Sequence, residues 1–322
     1  MQAVPFQESP LPQSSNATAT SSDESFVETL EHKRFVEFCD ACRQYRYIGL
    51  CFGPPGVGKT LSALRYSRNE MIGKIDSWTA EQSLQPALDT VLYTPSVMNS
   101  PSRIEGDLRR ACETLPGLAK RPLRREAQAA LAVIRTRDDA HRKANLDKPL
   151  RTRIEVSSLR PTYLEVLADY SARERAVADP TTLLLIDEAD RLRMTSLEQI
   201  RAIFDEGNAG LVLIGMPGIE KRMARFPQFY SRIGFVHEFR PLGTAEMQVL
   251  LERHWTPSGV HLPQNPLSAE VTAAIIRMTA GNFRLLNRLL AQIERVLAVN
   301  GLHEITSNVV LAARESLVIG QV

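Results

Sequence analysis

The sequence predicts an α/β fold, with a central parallel sheet of five strands flanked by helices and a small all-α lid at the C-terminal end. Three observations predict it. Short apolar runs alternate with amphipathic stretches between residues 25 and 241, the pattern of βαβ units in a parallel sheet. One of these runs, Leu183-Leu184-Leu185-Ile186, is apolar without interruption, as expected of a strand covered on both faces. Beyond Pro241 only helical periodicity recurs. The predicted organisation is a tail over 1–24, an α/β domain over 25–241 and a helical lid over 242–322.

Each element follows in order. Residues 1–24 are rich in Ser, Thr, Pro and Gln with few large apolar groups. They bury too little to offset chain entropy and read as a disordered tail. Phe26 to Arg46 carries apolar residues at helical spacing. Tyr47 to Phe52 is a short buried-type strand, and Leu61 to Met71 a helix. A second strand covers Thr90 to Thr94, stopped by Pro95. Arg103 to Leu115 reads as a helix ended by Pro116-Gly117, because proline and glycine both disfavour a helix interior. The stretch from Ala119 to Val156 shows no strand and reads as a basic insertion, partly helical between Arg124 and Arg142. Thr162 to Ala178 is an amphipathic helix and Leu183 to Ile186 the third strand. Ser196 to Phe204 is helical, Gly210 to Ile214 a fourth strand and Phe235 to Phe239 a fifth. Thr244–His254, Ser268–Thr279, Phe283–Asn300 and Ser307–Ser316 form the helical run of the lid.

Bulk properties exclude several classes. At 322 residues the chain is long enough for a large core and a second domain, and its 43% hydrophobic and 24% charged content is ordinary for a soluble protein. No apolar run approaches the roughly 20 residues that span a bilayer. The N-terminus has no basic start followed by an apolar segment. No membrane partner is therefore expected, and the four cysteines suit a reducing cytoplasm. Cys39 and Cys42 form a Cys-x-x-Cys pair, but no second pair follows and the spacing fits one helix face.

Chemistry concentrates in two places. Gly53-Pro54-Pro55-Gly56-Val57-Gly58-Lys59-Thr60 matches G-x-x-x-x-G-K-[ST] between a predicted strand and a helix that continues through Leu61. Such a loop turns successive backbone N–H groups toward phosphates, and the following helix adds its positive end. Lys59 would reach the β/γ-phosphates of ATP, and Thr60 would offer a hydroxyl to Mg²⁺. The run Leu183 to Ile186 ends in Asp187-Glu188. There Asp187 would help hold Mg²⁺, and Glu188 would orient and deprotonate an attacking water. Hydrolysis is thus expected as well as binding. The histidines are scattered, and no metal other than Mg²⁺ is expected.

Between Arg103 and Arg153, fourteen bases face seven acids, a local net charge of +7 in a chain of net +2. That asymmetry fits either a polyanionic partner or a solvated helical face. Aromatic interleaving is nearly absent, which favours backbone contact over base stacking in any nucleic-acid reading.

Asp187-Glu188-Ala189-Asp190-Arg191-Leu192 resembles the second nucleotide motif of the MuB/TnsC/TniB group of AAA+ P-loop transposition regulators. Cys51 to Tyr66, Tyr93-Thr94-Pro95-Ser96 and Gly210 to Gly215 share the resemblance. It implies an AAA+ P-loop NTPase that assembles as a ring or helical filament on double-stranded DNA and recruits a transposase. Tyr230-Ser231-Arg232-Ile233 matches the family's inter-subunit segment, so Arg232 is implied as an arginine finger, with Arg225 as its neighbour and competitor. Gly281-Asn282-Phe283-Arg284 matches the lid segment, implying that Arg284 contacts phosphate, although Arg288 and Arg295 share that helix. Arg103, Arg109 and Arg110 fall where related assemblies face the central pore. Arg121, Arg124 and Arg125 lie in the basic insertion. The family's polar sensor position holds Met216, which cannot bond a water strongly; either a neighbour substitutes or hydrolysis is slow. Competing readings are a different AAA+ enzyme, a helicase loader resembling IstB or DnaC, and, from another class, an ExeA-type ATP-switched adaptor for membrane or secretion machinery. The lack of a further C-terminal part counts against the ExeA-type reading.

Overall fold

The computed structural model describes residues 26–74, 88–146, 149 and 159–317. The tail at 1–24 and the end of the basic stretch, including Arg151 and Arg153, lie outside the described residues. In chain order the elements are α1 (Leu30–Tyr45), β1 (Ile48–Phe52), α2 (Lys59–Ser67), α3 (Asn69–Lys74), β2 (Thr90–Tyr93) and α4 (Pro101–Leu146). There follow α5 (Tyr163–Ala176), β3 (Leu183–Ile186), a 3₁₀ turn (Ala189–Arg191), α6 (Met194–Glu206) and β4 (Gly210–Gly215). Next come α7 (Ile219–Met223), α8 (Pro227–Tyr230) and β5 (Ile233–Glu238). The remaining helices are α9 (Thr244–Glu252), α10 (Ala269–Thr279), α11 (Phe283–Asn300) and α12 (Ser307–Glu315).

The five strands form one sheet in the order β2-β3-β4-β1-β5, every pair parallel. Because side chains alternate across a strand, each strand feeds two cores. Ile48 and Leu50, Leu184 and Ile186, and Leu211 and Leu213 pack with Ile104, Leu108 and Ile200 on one face. Cys51, Leu183 and Leu185, and Val212 and Ile214 pack with Phe35, Cys39 and Cys42 on the other. This double burial is why β3 and β4 read as unbroken apolar runs. Cys39 and Cys42 share the inward face of α1, and burial pushes both thiols above their ordinary range.

A third core is helical. Leu286, Leu289, Leu290, Ile293 and Leu297 line one face of α11 and pack with Met247, Ile275 and Val310. Spacings of three and four residues place them on one stripe. Glu246 ties this region back to the start of α1, accepting the Leu30 and Gly243 backbone N–H groups at 3.0 and 3.2 Å.

Helix ends follow local chemistry. α1 starts at Leu30 rather than Phe26 because Thr29 caps it, its hydroxyl accepting the His32 N–H at 3.1 Å. The helix after the glycine-rich loop starts two residues earlier than the sequence suggests and breaks at Arg68, which is left-handed.

One expectation is overturned. The helix read as ending at Pro116-Gly117 continues unbroken through Pro116 and Pro122 to Leu146. Each proline removes one backbone bond and costs about 3 kcal/mol in a helix interior. The apolar stripe does not stop there, however: Ile104, Leu108, Ala111, Cys112, Leu115 and Leu118 all face the core. Burial of such side chains contributes about 1.5–3 kcal/mol for each large one and offsets the prolines. Farther out, Ile134 is buried and α5 packs alongside, joined by a two-pronged Arg173–Glu126 pair at 2.8 Å. The basic stretch, as far as Leu146, is therefore the outer half of one helix. No helix of the described residues is long and apolar enough to cross a membrane.

Ile293→Ala removes a fully buried side chain from the helical core and should destabilise the protein by about 2–5 kcal/mol. Urea denaturation followed by circular dichroism checks this; a loss below about 1 kcal/mol would mean that this core packs loosely.

Candidate nucleotide site

The parallel sheet brings the C-terminal ends of β1, β3 and β4 to one edge, where open α/β sheets bind ligands. The glycine-rich loop follows β1, the acidic pair follows β3, and Met216 follows β4.

Gly56 has φ +81°, and a Cβ there would lie 2.5 Å from Asn282 Oδ1 and 2.7 Å from the Arg284 Cβ. Only glycine allows this backbone and this approach of α11. At the next turn α2 begins, capped by left-handed Gly58, so its first N–H groups face the loop. Lys59 lies back over that loop, its Nζ donating to Gly53 O at 2.6 Å and Pro54 O at 2.8 Å. Burial lowers the Lys59 pKa, while Asp187 and Asp190 pull it up and Arg284 pushes it down.

Thr60 Oγ1 donates to Asp187 Oδ2 at 2.7 Å. Asp187 is 3% exposed, and its backbone N–H donates to Tyr93 O at 2.9 Å, continuing the β2–β3 ladder past the strand end. A hydroxyl beside a carboxylate is a hard-oxygen pair that suits Mg²⁺, which keeps several waters and takes few protein ligands. The donor set fits that ion.

Glu188 is left-handed, with φ +53°, a conformation costing roughly 1–2 kcal/mol in a non-glycine residue. Its carboxylate pairs with Arg191 at 3.0 Å, and Arg191 also donates to Pro95 O at 3.2 Å. Asn99, buried in the β2–α4 loop, donates to Arg191 O and accepts from Ser196 Oγ. The loop after β2 is thus wired to the acidic pair after β3.

Two residues that lie inside the sequence motifs have roles near the chemistry that the sequence reading did not assign. Asp190 accepts the Met216 N–H with both oxygens, at 2.8 and 3.0 Å. A Cβ on Gly215 would fall 2.9 Å from Asp190 Oδ1, so a side chain there would press on that carboxylate. Burial raises the Asp190 pKa. The polar neighbour at the Met216 position is therefore a carboxylate from the adjacent strand's loop. Asn282 is the second: Oδ1 caps α11 by accepting Arg284 and Leu285 N–H groups, while Nδ2 donates to Pro55 O at 2.8 Å. Arg284 N–H also reaches Gly56 O at 3.1 Å. The start of α11 is clamped onto the glycine-rich loop.

Beside the loop lies an apolar groove of about 190 Å³, lined by Phe26, Val57, Leu61, Phe239, Trp255 and Phe283. A wider groove of about 710 Å³ lies between α4 and α5, on elements that carry none of this chemistry.

Arg232, between α8 and β5, pairs with Asp205. Arg103 and Arg110 share Asp107, Arg109 pairs with Glu105, and Arg124 and Arg125 are exposed on α4.

A phosphate loop and an acid-ended strand on a five-stranded parallel sheet define a P-loop ATPase fold with a helical C-terminal region. The chain belongs to the AAA domain family, whose profile matches residues 42–223. A potential ATP-binding protein from Staphylococcus aureus is 37% identical over 300 residues, covering 92% of this chain and 98% of that protein. Among solved structures, a RuvB variant from Thermotoga maritima aligns with a TM-score of 0.50 at 14% identity, covering 93% of this chain and 73% of its own. The Aeropyrum pernix ORC2 protein, in ADPNP and ADP complexes, aligns with a TM-score of 0.50 at 12% identity, covering 90% and 68%. At these identities the likeness is one of fold.

Asn282→Ala removes a helix cap, worth about 1 kcal/mol, together with the bond to Pro55. ATP affinity should fall about tenfold, the equivalent of about 1.4 kcal/mol. Titration with a fluorescent ATP analogue tests it, and unchanged affinity would show that the clamp plays no part in binding.

Proposed function

We propose that this protein is a Mg²⁺-dependent ATPase that assembles on duplex DNA and regulates transposition by recruiting or activating a transposase. The single observation that carries the ATPase reading is the Thr60–Asp187 contact, which joins the phosphate loop to the acid-ended strand beside Lys59 and Glu188. The apolar groove beside Val57 and Leu61 would take the adenine. Thr60 Oγ1 and Asp187 would hold Mg²⁺, which supplies positive charge to the phosphates. Lys59 exchanges the Gly53 and Pro54 carbonyls for phosphate oxygens. Glu188 leaves Arg191 and takes a proton from water as that water's oxygen bonds the γ-phosphorus. The bond to the ADP oxygen breaks, and ADP leaves with phosphate. Arg284 stands at the start of α11 beside the loop, suited to contact phosphate within the same subunit. Arg232 is read as the group reaching a neighbour's γ-phosphate.

The DNA reading rests on α4. On one continuous helix, Arg103, Arg110, Arg121, Arg124 and Arg125 fall within a stripe about 100° wide and about 33 Å long. A stripe of that kind follows phosphates without reading bases. The assignment to transposition rests on the resemblance carried by Asp187 to Leu192 and its companion segments.

Glu188→Gln should lower kcat by about 10²–10⁴-fold while nucleotide binding persists. DNA binding with a non-hydrolysable ATP analogue, measured across a salt series with assembly watched by electron microscopy, should be ATP-dependent and weaken with salt. Replacing Arg121, Arg124 and Arg125 by Ala should reduce the log–log salt slope by roughly 0.9 for each phosphate no longer neutralised. No ATP-dependent binding at low salt overturns the DNA reading. Adding purified candidate transposases to the assembled complex then tests recruitment.

A further inference from the structure

Arg232 is held by more than an ordinary surface pair. Its Nε donates to Asp205 Oδ1 at 2.6 Å and its Nη2 to Asp205 Oδ2 at 2.9 Å, so one whole edge of the guanidinium lies on the carboxylate. Nη1 donates to the Gln228 carbonyl. A guanidinium has five N–H donors. Among the described residues these contacts use three, leaving one on Nη1 and one on Nη2. Those terminal nitrogens can fork onto phosphate oxygens.

Asp205 is itself anchored. Its Oδ2 also accepts Arg201 Nη1 at 2.7 Å, and Arg201 Nε bonds Glu198 at 2.8 Å. These three residues share one face of α6, whose Leu197 and Ile200 sit in the sheet's core. The carboxylate is therefore fixed to a rigid helix. The Arg232 hydrogen bond holds the Asp205 carboxyl below its ordinary range, so the pair stays charged at neutral pH. An arginine side chain loses about 2 kcal/mol of rotamer entropy when ordered, and here the ordering is already made. With Arg232 one-third exposed, a pair of this kind contributes only about 0–1 kcal/mol to stability. Its main effect falls on where the free edge of Arg232 points.

We infer that Asp205 is a positioning residue that aims Arg232 at the nucleotide of a second copy of this chain. The inference rests on the reading of Arg232 as a group acting in trans, and goes beyond it by naming what orients that group.

Mixed-subunit ATP hydrolysis on the full chain separates the two claims. Arg232→Ala and Glu188→Gln should each be nearly inactive alone, with Arg232→Ala down about 10³-fold or more. Their mixture should regain turnover, because a Glu188→Gln subunit lends its Arg232 to a neighbour with an intact site. Adding Asp205→Ala to the lending subunit should cut that recovery by about 10–100-fold, the cost of a misaimed group. Adding it to the Arg232→Ala subunit should cut recovery at least about tenfold less than that. Binding of a fluorescent ATP analogue by each variant verifies that it is folded. Recovery that falls equally for Asp205→Ala on either subunit, or on neither, overturns the Asp205 inference and leaves the trans reading standing. Wild-type turnover by Arg232→Ala alone overturns both.

Discussion

The hydrogen bond from Thr60 Oγ1 to Asp187 Oδ2 joins residues 127 positions apart and sets a geometric condition on the whole α/β region. β1 and β3 are not neighbours; β4 lies between them. The contact forms only if all three strands run the same way and end at the same level, which the parallel registers of Cys51 with Ile214 and Ile186 with Leu213 provide. The two cores on either face of the sheet hold those registers, since a slip of one residue would exchange every inward side chain. Packing and chemistry are thus one constraint.

Around that contact the charges are arranged so that no member stands alone. Lys59 rests on two loop carbonyls, Glu188 on Arg191 and Asp190 on the Met216 amide. Asn282 differs: it spends one end of its amide on α11 and the other on the phosphate loop. The helical region and the nucleotide loop therefore share a side chain, and a shift in either is felt by the other.

The five strands and the lid helices were legible from apolar runs and periodicity, because parallel strands and amphipathic helices each leave a strong pattern. The phosphate loop and Asp187-Glu188 were legible because their chemistry demands fixed residue types at fixed places. What escaped was what depends on distance through space. Asp190 reads as one more acid after a strand until Met216 is seen to donate to it. Asn282 is one residue of the Gly281–Arg284 segment until Pro55 is seen beside it. At Pro116-Gly117 local propensity pointed to a helix end, but the apolar stripe of α4 continued across it and tertiary burial prevailed.

That unbroken helix has a mechanical consequence. Its inner half is bedded against the sheet as far as Leu118, and the outer 28 residues, about 42 Å, run on to Leu146 with α5 as a strut. The root of the rod adjoins the loop that Asn99 and Arg191 tie to Glu188. A rod of this length converts angle into distance: a tilt of about 5° at the root sweeps the tip through about 4 Å. Any change of angle at the acidic pair's loop would thus be read out far from the nucleotide.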